Sequence, residues 1–172
     1  SPVDASRDQV LFVGAGDLDR WAYALASLEN ARGDKFTAFS LYLRSRLSKS
    51  CVLRAEEPLA AKTTMKVGGC ARWYAEPAHA EDLRALVEAC KLLGIPYVMM
   101  GRGSNLIVPD AGYAGLVLRL RGPFWSEIDP RAEDTLLVGA GARLQEICRV
   151  ACQNELKGFE FLEGIPGTLG GA

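Results

Sequence analysis

The chain has 172 residues, 49% hydrophobic and 24% charged, a composition typical of a globular protein that buries a core without disulfides or metals. Its 20 basic and 21 acidic side chains nearly balance, which argues against nucleic acid or an anionic membrane as a partner. No apolar run is long enough to cross a bilayer and no basic-then-apolar leader is present, so the sequence predicts a cytoplasmic protein.

The metal-binding residue types are sparse. The five cysteines lack metal-ligand spacing and are expected to be small side chains of a reduced core. The single histidine, His79, lies at a helix start and is expected to be exposed. One histidine cannot build a zinc site or a Ser-His-Asp triad, so the sequence predicts no metal.

The N-terminal part predicts a strand and two helices. Residues 9–16 are typical of a short buried strand that ends in a glycine turn, and Asp17 can cap the helix that follows over 17–30. Apolar residues recur at helical spacing from Phe36 to Leu47. The composition changes near Ser48, which predicts a domain boundary between residues 47 and 57.

Strands and helices alternate beyond that boundary. One helix, Ala80–Leu93, has a clear apolar stripe and a terminating Gly94. The pattern predicts strands at 70–76, 97–100, 115–120 and 136–138, and a further helix at 143–154.

The segment Gly101–Asn105 follows one of these strands directly. Its glycines allow a close approach of backbone amides to a ligand, and consecutive amides in such a turn form an anion-binding concavity. Ser104 and Asn105 add side-chain donors for phosphate oxygens. A tight turn between two strands is the alternative interpretation.

Two further glycine segments are present. Residues 164–171 contain four glycines and Pro166, which favours a shaped loop able to lie against a planar ring or a diphosphate, or else a purely structural loop. No Lys-Ser or Lys-Thr follows its last glycine, so it is not a P-loop. Residues 63–69, taken alone, favour a turn before a strand. Neither Gly14-Ala15-Gly16 nor Gly139-Ala140-Gly141 has the third glycine of a dinucleotide fingerprint.

Taken together, the three segments indicate a protein family far more specifically than any one of them does alone. PLAAKTTMKVGGCARWYAEP, MGRGSNLIVPDAGYAGLVLRL and GFEFLEGIPGTLGGA resemble, in this order, segments of UDP-N-acetylenolpyruvoylglucosamine reductases. The resemblance covers residues 48–172. It implies an α+β fold, a two-subdomain FAD-binding domain of the vanillyl-alcohol-oxidase type, preceded by a short strand-helix-helix segment in residues 1–47.

The resemblance also implies a function. Members of this family reduce a bound FAD with NADPH and pass a hydride to the enolpyruvyl group of a UDP-sugar, giving UDP-N-acetylmuramate for peptidoglycan. FAD is expected to be non-covalent, because no histidine or cysteine lies in Gly101–Asn105. Cys70, where the family more often has proline, and the pair Met65-Lys66 depart from its pattern and put contact details in doubt.

The implied cofactor-binding residues fall in three groups. Those expected at the diphosphate are Gly101, Arg102, Gly103, Ser104, Asn105 and Leu106. Those expected to approach the cofactor from the first segment are Val67, Gly68 and Gly69. Those expected along the flavin ring and ribityl chain are Gly164, Ile165, Pro166, Gly167, Thr168, Gly170 and Gly171.

No catalytic residue is assigned. The family's catalytic serine, glutamate and arginine belong to motifs downstream of Ala172, and so does its substrate domain, so we expect this chain to bind FAD without completing the reduction. VLFVGAGDLDRWAYAL, residues 10–25, resembles the C-terminal strand and helix of UDP-N-acetylmuramate–L-alanine ligases, which suggests a ligase–reductase fusion. An unrelated extension is the alternative.

Two other functions stay open at this point. One is an oxidase of the same flavoprotein fold. The other is a non-catalytic module that binds a flavin or nucleotide, or that serves as a scaffold between fused cell-wall enzymes.

Overall fold

The computed structural model describes residues 34–131 and 134–172. The predicted strand at 9–16, the predicted helix at 17–30 and the ligase-like segment lie outside the described residues. The elements, in chain order, are α1 (Lys35–Leu43), β1 (Val52–Pro58), β2 (Cys70–Glu76), α2 (Ala80–Leu93), β3 (Tyr97–Met99), β4 (Tyr113–Leu118), α3 (Pro123–Ser126), β5 (Ile128–Arg131), β6 (Thr135–Val138) and α4 (Leu144–Gln153).

Residues 34–120, here called the first lobe, are organised around a four-stranded sheet of order β1-β2-β4-β3. Strand β1 is antiparallel to β2, whereas β2 and β3 are both parallel to β4. The three parallel strands therefore end at one edge of the sheet, and the segments that follow them meet there. Ligands of α/β sheets are commonly bound at such an edge.

Helices α1 and α2 cover one face of the sheet. Phe39, Tyr42 and Leu43 of α1 share a buried cluster with Leu86 of α2 and Leu116 of β4. Asp34 caps α1 by accepting the backbone N–H groups of Phe36 and Thr37. Helix α1 ends at Leu43, and the chain continues in hydrogen-bonded turns to Leu47, where the sequence pattern predicts helix. The segment before the predicted boundary thus packs on the same core as the sheet.

Helix α2 has the predicted bounds and the predicted stop. Gly94 adopts a left-handed conformation with φ 61°, and its N–H donates to the carbonyl of Cys90. At the other end, the buried Asp82 accepts the N–H groups of Ala78 and His79 and both the N–H and hydroxyl of Ser48. His79 is exposed, as expected.

The opposite face of the sheet carries a smaller buried cluster. Tyr74, Val117 and Leu59 form its centre, and Met100 and Val108 close it from the loop that follows β3. Because these two loop residues are buried in the core, the loop is tied to the sheet at both ends.

The second lobe (residues 121–131 and 134–172) is smaller. Strands β5 and β6 form an antiparallel hairpin, and α4 packs on it through Leu144 and Ile147. Its buried apolar cluster contains Ala142, Leu144, Ile147 and Leu162. The indole N–H of Trp125 donates to the carbonyl of Pro77 at 2.6 Å, which joins this lobe to the end of β2.

Two strands were not predicted. In β1, Arg54, Glu56 and Glu57 interrupt the apolar pattern because β1 is a sheet edge with its middle exposed. In β5, Pro130 is accommodated because this strand pairs on one side only.

The expectation for the cysteines was partly wrong. Cys90 is buried, but Cys70 and Cys152 are exposed, and all are free thiols. Cys70 begins β2 at the exposed end of the strand, and Cys152 lies on the outer side of α4. None of the described helices has the length and apolar character needed to cross a membrane.

Candidate functional site

The loop after β3 is the centre of the candidate site. It lies at the edge where β2, β4 and β3 end. Gly103, at φ 68°, turns the loop toward the first glycine segment, and its carbonyl accepts the N–H of Thr64 at 3.0 Å. A methyl group at Gly103 would lie 2.6 Å from the carbonyl oxygen of Lys62. Only glycine therefore allows this approach of the two backbones.

The same loop contacts the third glycine segment. The hydroxyl of Ser104 donates to the carbonyl of Pro166 at 3.1 Å. A methyl group built at Gly101 would lie 3.1 Å from Oγ1 of the buried Thr168. All three glycine segments, which are far apart in sequence, thus meet around Gly101–Ser104. Ser104, whose hydroxyl was expected to donate to a phosphate oxygen, donates it in this structure to the carbonyl of Pro166.

Gly68 and Gly69 pack against the end of the loop. The space for a side chain at Gly68 is taken by Val108, since an added methyl group would lie 2.4 Å from its Cβ. The N–H of Gly69 donates to the carbonyl of Pro109, and its carbonyl accepts the N–H of Leu59. These glycines hold the first segment against the loop through backbone contacts.

The third segment is anchored to the start of α4. Thr168 pairs with Arg143 in an isolated antiparallel bridge, and the N–H of Leu144 donates to the carbonyl of Gly167. The N–H of Gly170 donates to the carbonyl of Ala140 at 2.9 Å. The loop has a defined shape because backbone bonds, rather than a large core, hold it.

Several predicted residues do not converge on the same point. Val67 and Ile165 are exposed apolar side chains, and Gly164 has no neighbour within 4 Å of an added methyl group. Leu106 packs on the smaller core cluster of the first lobe, and Asn105 is exposed. Gly171 lies beside Thr168, with 3.4 Å between an added methyl group and its hydroxyl oxygen.

A polar pocket of about 580 Å³ lies between the two lobes. Gly101, Arg102 and Thr168 line it, so it includes predicted residues from two of the three segments. The other lining residues are Arg119, Leu120, Arg121, Gly122, Ser126, Gly141, Arg143 and Glu146. Four arginines and one carboxylate make the pocket electropositive, which suits a phosphate-bearing ligand.

Three of those arginines were missed from the sequence. Arg119 and Arg121 follow β4, and Arg143 follows the turn after β6. In the sequence, Arg119 falls inside the predicted strand 115–120, Arg121 directly follows it, and Arg143 begins the predicted helix 143–154. The strand order gives Arg119 and Arg121 their position, because it places the end of β4 between the ends of β2 and β3.

Another concavity lies away from these loops. It is an open groove of about 1050 Å³ along α4, lined by Cys148, Cys152 and Phe159 among others. Burial, followed by the charge of neighbouring Glu163, raises the pKa of the Cys148 thiol, which disfavours the nucleophilic thiolate. No cluster of potential metal ligands occurs within 34–131 and 134–172.

These features define a class of protein. Residues 71–172 match the family model of the FAD binding domain, and the chain belongs to this family. The match confirms FAD as the predicted cofactor, and the mixed helix-and-strand architecture is confirmed with it.

The particular relatives are UDP-N-acetylenolpyruvoylglucosamine reductases. The chain is 40% identical to that of Desulforamulus reducens over 138 residues, covering 80% of this chain and 44% of the relative. It is 44% identical to that of Anaeromyxobacter dehalogenans over 117 residues, covering 68% of this chain and 35% of the relative. The chain thus spans less than half the length of these relatives.

A solved structure agrees. The crystal structure of UDP-N-acetylenolpyruvylglucosamine reductase from Thermus caldophilus superposes with a TM-score of 0.55 at 34% identity, over 71% of this chain and 40% of that chain.

Proposed function

We propose that this chain is the FAD-binding part of an NADPH-dependent reductase that converts UDP-N-acetylenolpyruvoylglucosamine to UDP-N-acetylmuramate. The observation that carries the proposal is the meeting of all three glycine segments at the carboxyl edge of the sheet, beside an electropositive pocket. The similarity to reductases of that name supports the substrate and the place in peptidoglycan synthesis. An enzyme that acts on a soluble UDP-sugar would be a cytoplasmic protein.

The residues present fit an FAD. Gly101 and Gly103 let the loop after β3 pack closely on Thr168 and Lys62, and this packing places Gly101 and Arg102 at the electropositive pocket. Gly101 to Asn105 would hold the diphosphate, and Gly164 to Gly171 would lie along the ring and ribityl chain. The bound flavin supplies the hydride-transfer chemistry, and this chain supplies orientation and charge.

The cofactor is proposed to be non-covalent. No cysteine or histidine is among the described residues that line the pocket, so the pocket offers no nucleophile of the kind that tethers flavins. This property separates the proposal from an oxidase that attaches FAD through such a side chain.

Finer assignments accompany the proposal. Residues 48–120 of the first lobe and the second lobe would be the two subdomains of a vanillyl-alcohol-oxidase-type flavin domain spanning residues 48–172. Residues 1–47 would be the C-terminal tail of a fused UDP-N-acetylmuramate–L-alanine ligase plus a linker helix, with α1 packed on the flavin domain. The catalytic side chains of the reductase would lie downstream of these residues.

The test is flavin retention. The purified chain is mixed with FAD, freed of excess by gel filtration, and its visible absorbance recorded before and after denaturation. A flavin spectrum that stays with the folded protein and is released on denaturation is expected. A folded chain that retains no flavin would contradict the proposal, and flavin that stays on the denatured chain would contradict its non-covalent part.

A second readout separates a reductase from a passive flavin module. NADPH is added to the flavin-loaded protein without oxygen, and bleaching of the visible absorbance is followed. Bleaching much faster than that of free FAD is expected for a reductase, whereas an unchanged rate favours a non-catalytic module.

A further inference from the structure

The pocket between the lobes contains more positive charge than its own carboxylate can balance. Its one acidic lining residue, Glu146, forms an ion pair with Arg149, which lies outside the pocket, at 2.5 Å. That hydrogen bond and ion pair lower the pKa of Glu146, and the charge of Arg143 contributes less. In the described ranges, no carboxylate lies within ion-pair distance of Arg102, Arg119, Arg121 or Arg143. The guanidinium groups are therefore available to an external anion.

Arg119 is positioned by residues of β2. It follows β4, and its N–H donates to the carbonyl of Ala75 in β2 at 2.9 Å. Its guanidinium lies near the hydroxyl of Tyr74, which donates to Glu76 at 2.5 Å. Tyr74 is buried, and burial followed by the bond to Glu76 raises its pKa, so the phenol stays protonated and keeps donating. The backbone bond to Ala75 and the neighbouring Tyr74 restrict Arg119 where it lines the pocket.

Arg143 is held by the backbone. It precedes the first residue of α4 and pairs with Thr168 of the third glycine segment. It lines the pocket together with Gly101 and Arg102 of the loop after β3. Arg119 and Arg143 therefore come from different lobes and meet at the same cavity.

We propose that Arg119 and Arg143 bind the diphosphate group of the ligand in this pocket, one from each lobe, and that Tyr74 positions Arg119. The identity of that ligand as FAD rests on the proposed function, while the diphosphate chemistry rests on the pocket. A planar guanidinium forms paired, charge-assisted hydrogen bonds to phosphate oxygens, which backbone amides alone do not supply. Binding thereby links the two lobes, because each contributes one cation to the same anion.

The first experiment uses inorganic pyrophosphate as the probe. Its binding to the full chain is measured by titration calorimetry for the wild type, Arg119→Gln and Arg143→Gln. Each substitution is expected to weaken binding by about 10- to 100-fold, the effect of losing a charge-assisted hydrogen bond. Arg84→Gln, which removes an exposed arginine of α2 paired with Glu88, is the charge-matched control and should leave binding unchanged.

Salt dependence is the second readout. Because the attraction is ionic, the wild-type affinity should fall as salt rises, and the slope should flatten in both variants. Arg119→Lys keeps the charge but not the paired geometry, so it should restore the salt slope and only part of the affinity.

Tyr74 is tested by a double-mutant cycle. Tyr74→Phe keeps the buried ring and removes the hydroxyl, and it should weaken pyrophosphate binding by about 5-fold. In the Arg119→Gln background the same change should have no further effect, because the residue that Tyr74 positions is gone. A purely structural role would give equal effects in both backgrounds and would overturn the positioning role. Circular dichroism of each variant shows that the comparison is made between folded proteins.

The outcomes separate this inference from the proposed function. Arginine-dependent pyrophosphate binding without flavin retention supports the diphosphate site and contradicts the flavin function. Flavin retention with wild-type pyrophosphate affinity in Arg119→Gln and Arg143→Gln overturns the site and leaves the flavin function standing. A folded wild type that does not bind pyrophosphate also overturns the site.

Discussion

The two lobes hold their parts of the site by different means. In the first lobe, the loop after β3 projects from a sheet that is buried on both faces, and Met100 and Val108 anchor it in a core cluster. In the second lobe, the Gly164–Gly171 segment rests on backbone bonds to Ala140, Ala142 and Leu144, above a cluster of four buried side chains. The first lobe thus holds its loop by side-chain packing. The second lobe holds its glycine segment by backbone hydrogen bonds and by contact with the first lobe.

The largest expected effect tests that difference in packing. Leu86→Ala empties a fully buried site in the first lobe and should lower the free energy of unfolding by about 3–5 kcal/mol. Leu144→Ala, equally buried but in the smaller cluster, should cost about 2 kcal/mol, since water and neighbouring loops can fill the space. Urea denaturation followed by far-UV circular dichroism measures both. Equal costs would contradict this difference in packing between the two lobes.

The second prediction concerns the loop after β3 in the first lobe. Gly103 and Gly94 have similar left-handed φ angles of 68° and 61°, but only Gly103 has a backbone within reach of an added methyl group. Gly94→Ala should cost about 1 kcal/mol from its conformation alone. Gly103→Ala should cost roughly 2–3 kcal/mol and also reduce FAD retention, because the loop must move away from Lys62. Denaturation and flavin retention of the two variants give the comparison, and equal effects would show that the close approach is unimportant.

The third prediction concerns Asp82, which ties the start of α2 to Ser48. Burial opposes its ionisation, but the hydrogen bonds from Ser48, His79 and Ala78 outweigh this and lower the pKa of the carboxyl group. A lowered folded pKa stabilises the protein fully above the unfolded value of about 3.9, and this stabilisation is lost as the pH falls through the folded pKa. Asp82→Asn should cost about 1–2 kcal/mol at neutral pH and should lose less stability on acidification.

Thermal unfolding from about pH 6 to about pH 2.5 measures this dependence. Glu81→Gln, a change at the exposed neighbouring residue, is the control and should follow the wild-type curve. If Asp82→Asn follows it too, the acid sensitivity arises from other groups.

The smallest effect concerns the contact between the lobes. Trp125→Phe removes the hydrogen bond to Pro77 and should cost about 1 kcal/mol, with faster proteolysis confined to the second lobe. Trp73→Phe is the matched change, because in the described part of the chain its indole N–H has no hydrogen-bond partner. It should be close to neutral. Thermal melts and limited proteolysis distinguish the two variants.

Much of the first lobe could be predicted from sequence because its signals are local. The bounds of α2 follow from an apolar stripe and Gly94, and β2 has the predicted bounds, whereas β6 of the second lobe begins one residue before the predicted strand. Strand β4 was predicted two residues late, at 115–120, which placed Arg119 inside a strand. In the structure β4 ends at Leu118, so Arg119 follows the strand and lines the pocket.

The glycine segments illustrate both what sequence reasoning reaches and where it stops. Their sequences resembled a flavin domain, and the family match agrees. Which glycines approach a partner backbone was not predictable, since Gly103 meets Lys62 while Gly164 meets nothing. The role of each residue toward the cofactor stays a prediction until flavin binding is measured.

The sequence by itself determined α2, α4 and the family, because capping residues, apolar periodicity and glycine spacing act within a few residues of the chain. Only the tertiary structure decided which side chains share a site. Strand order brings the ends of β2, β4 and β3 to one edge, and the hydrogen bond from Ser104 to Pro166 joins the third glycine segment to the loop at that edge. The pocket exists because separate segments are brought together there, and no local pattern encodes that pairing.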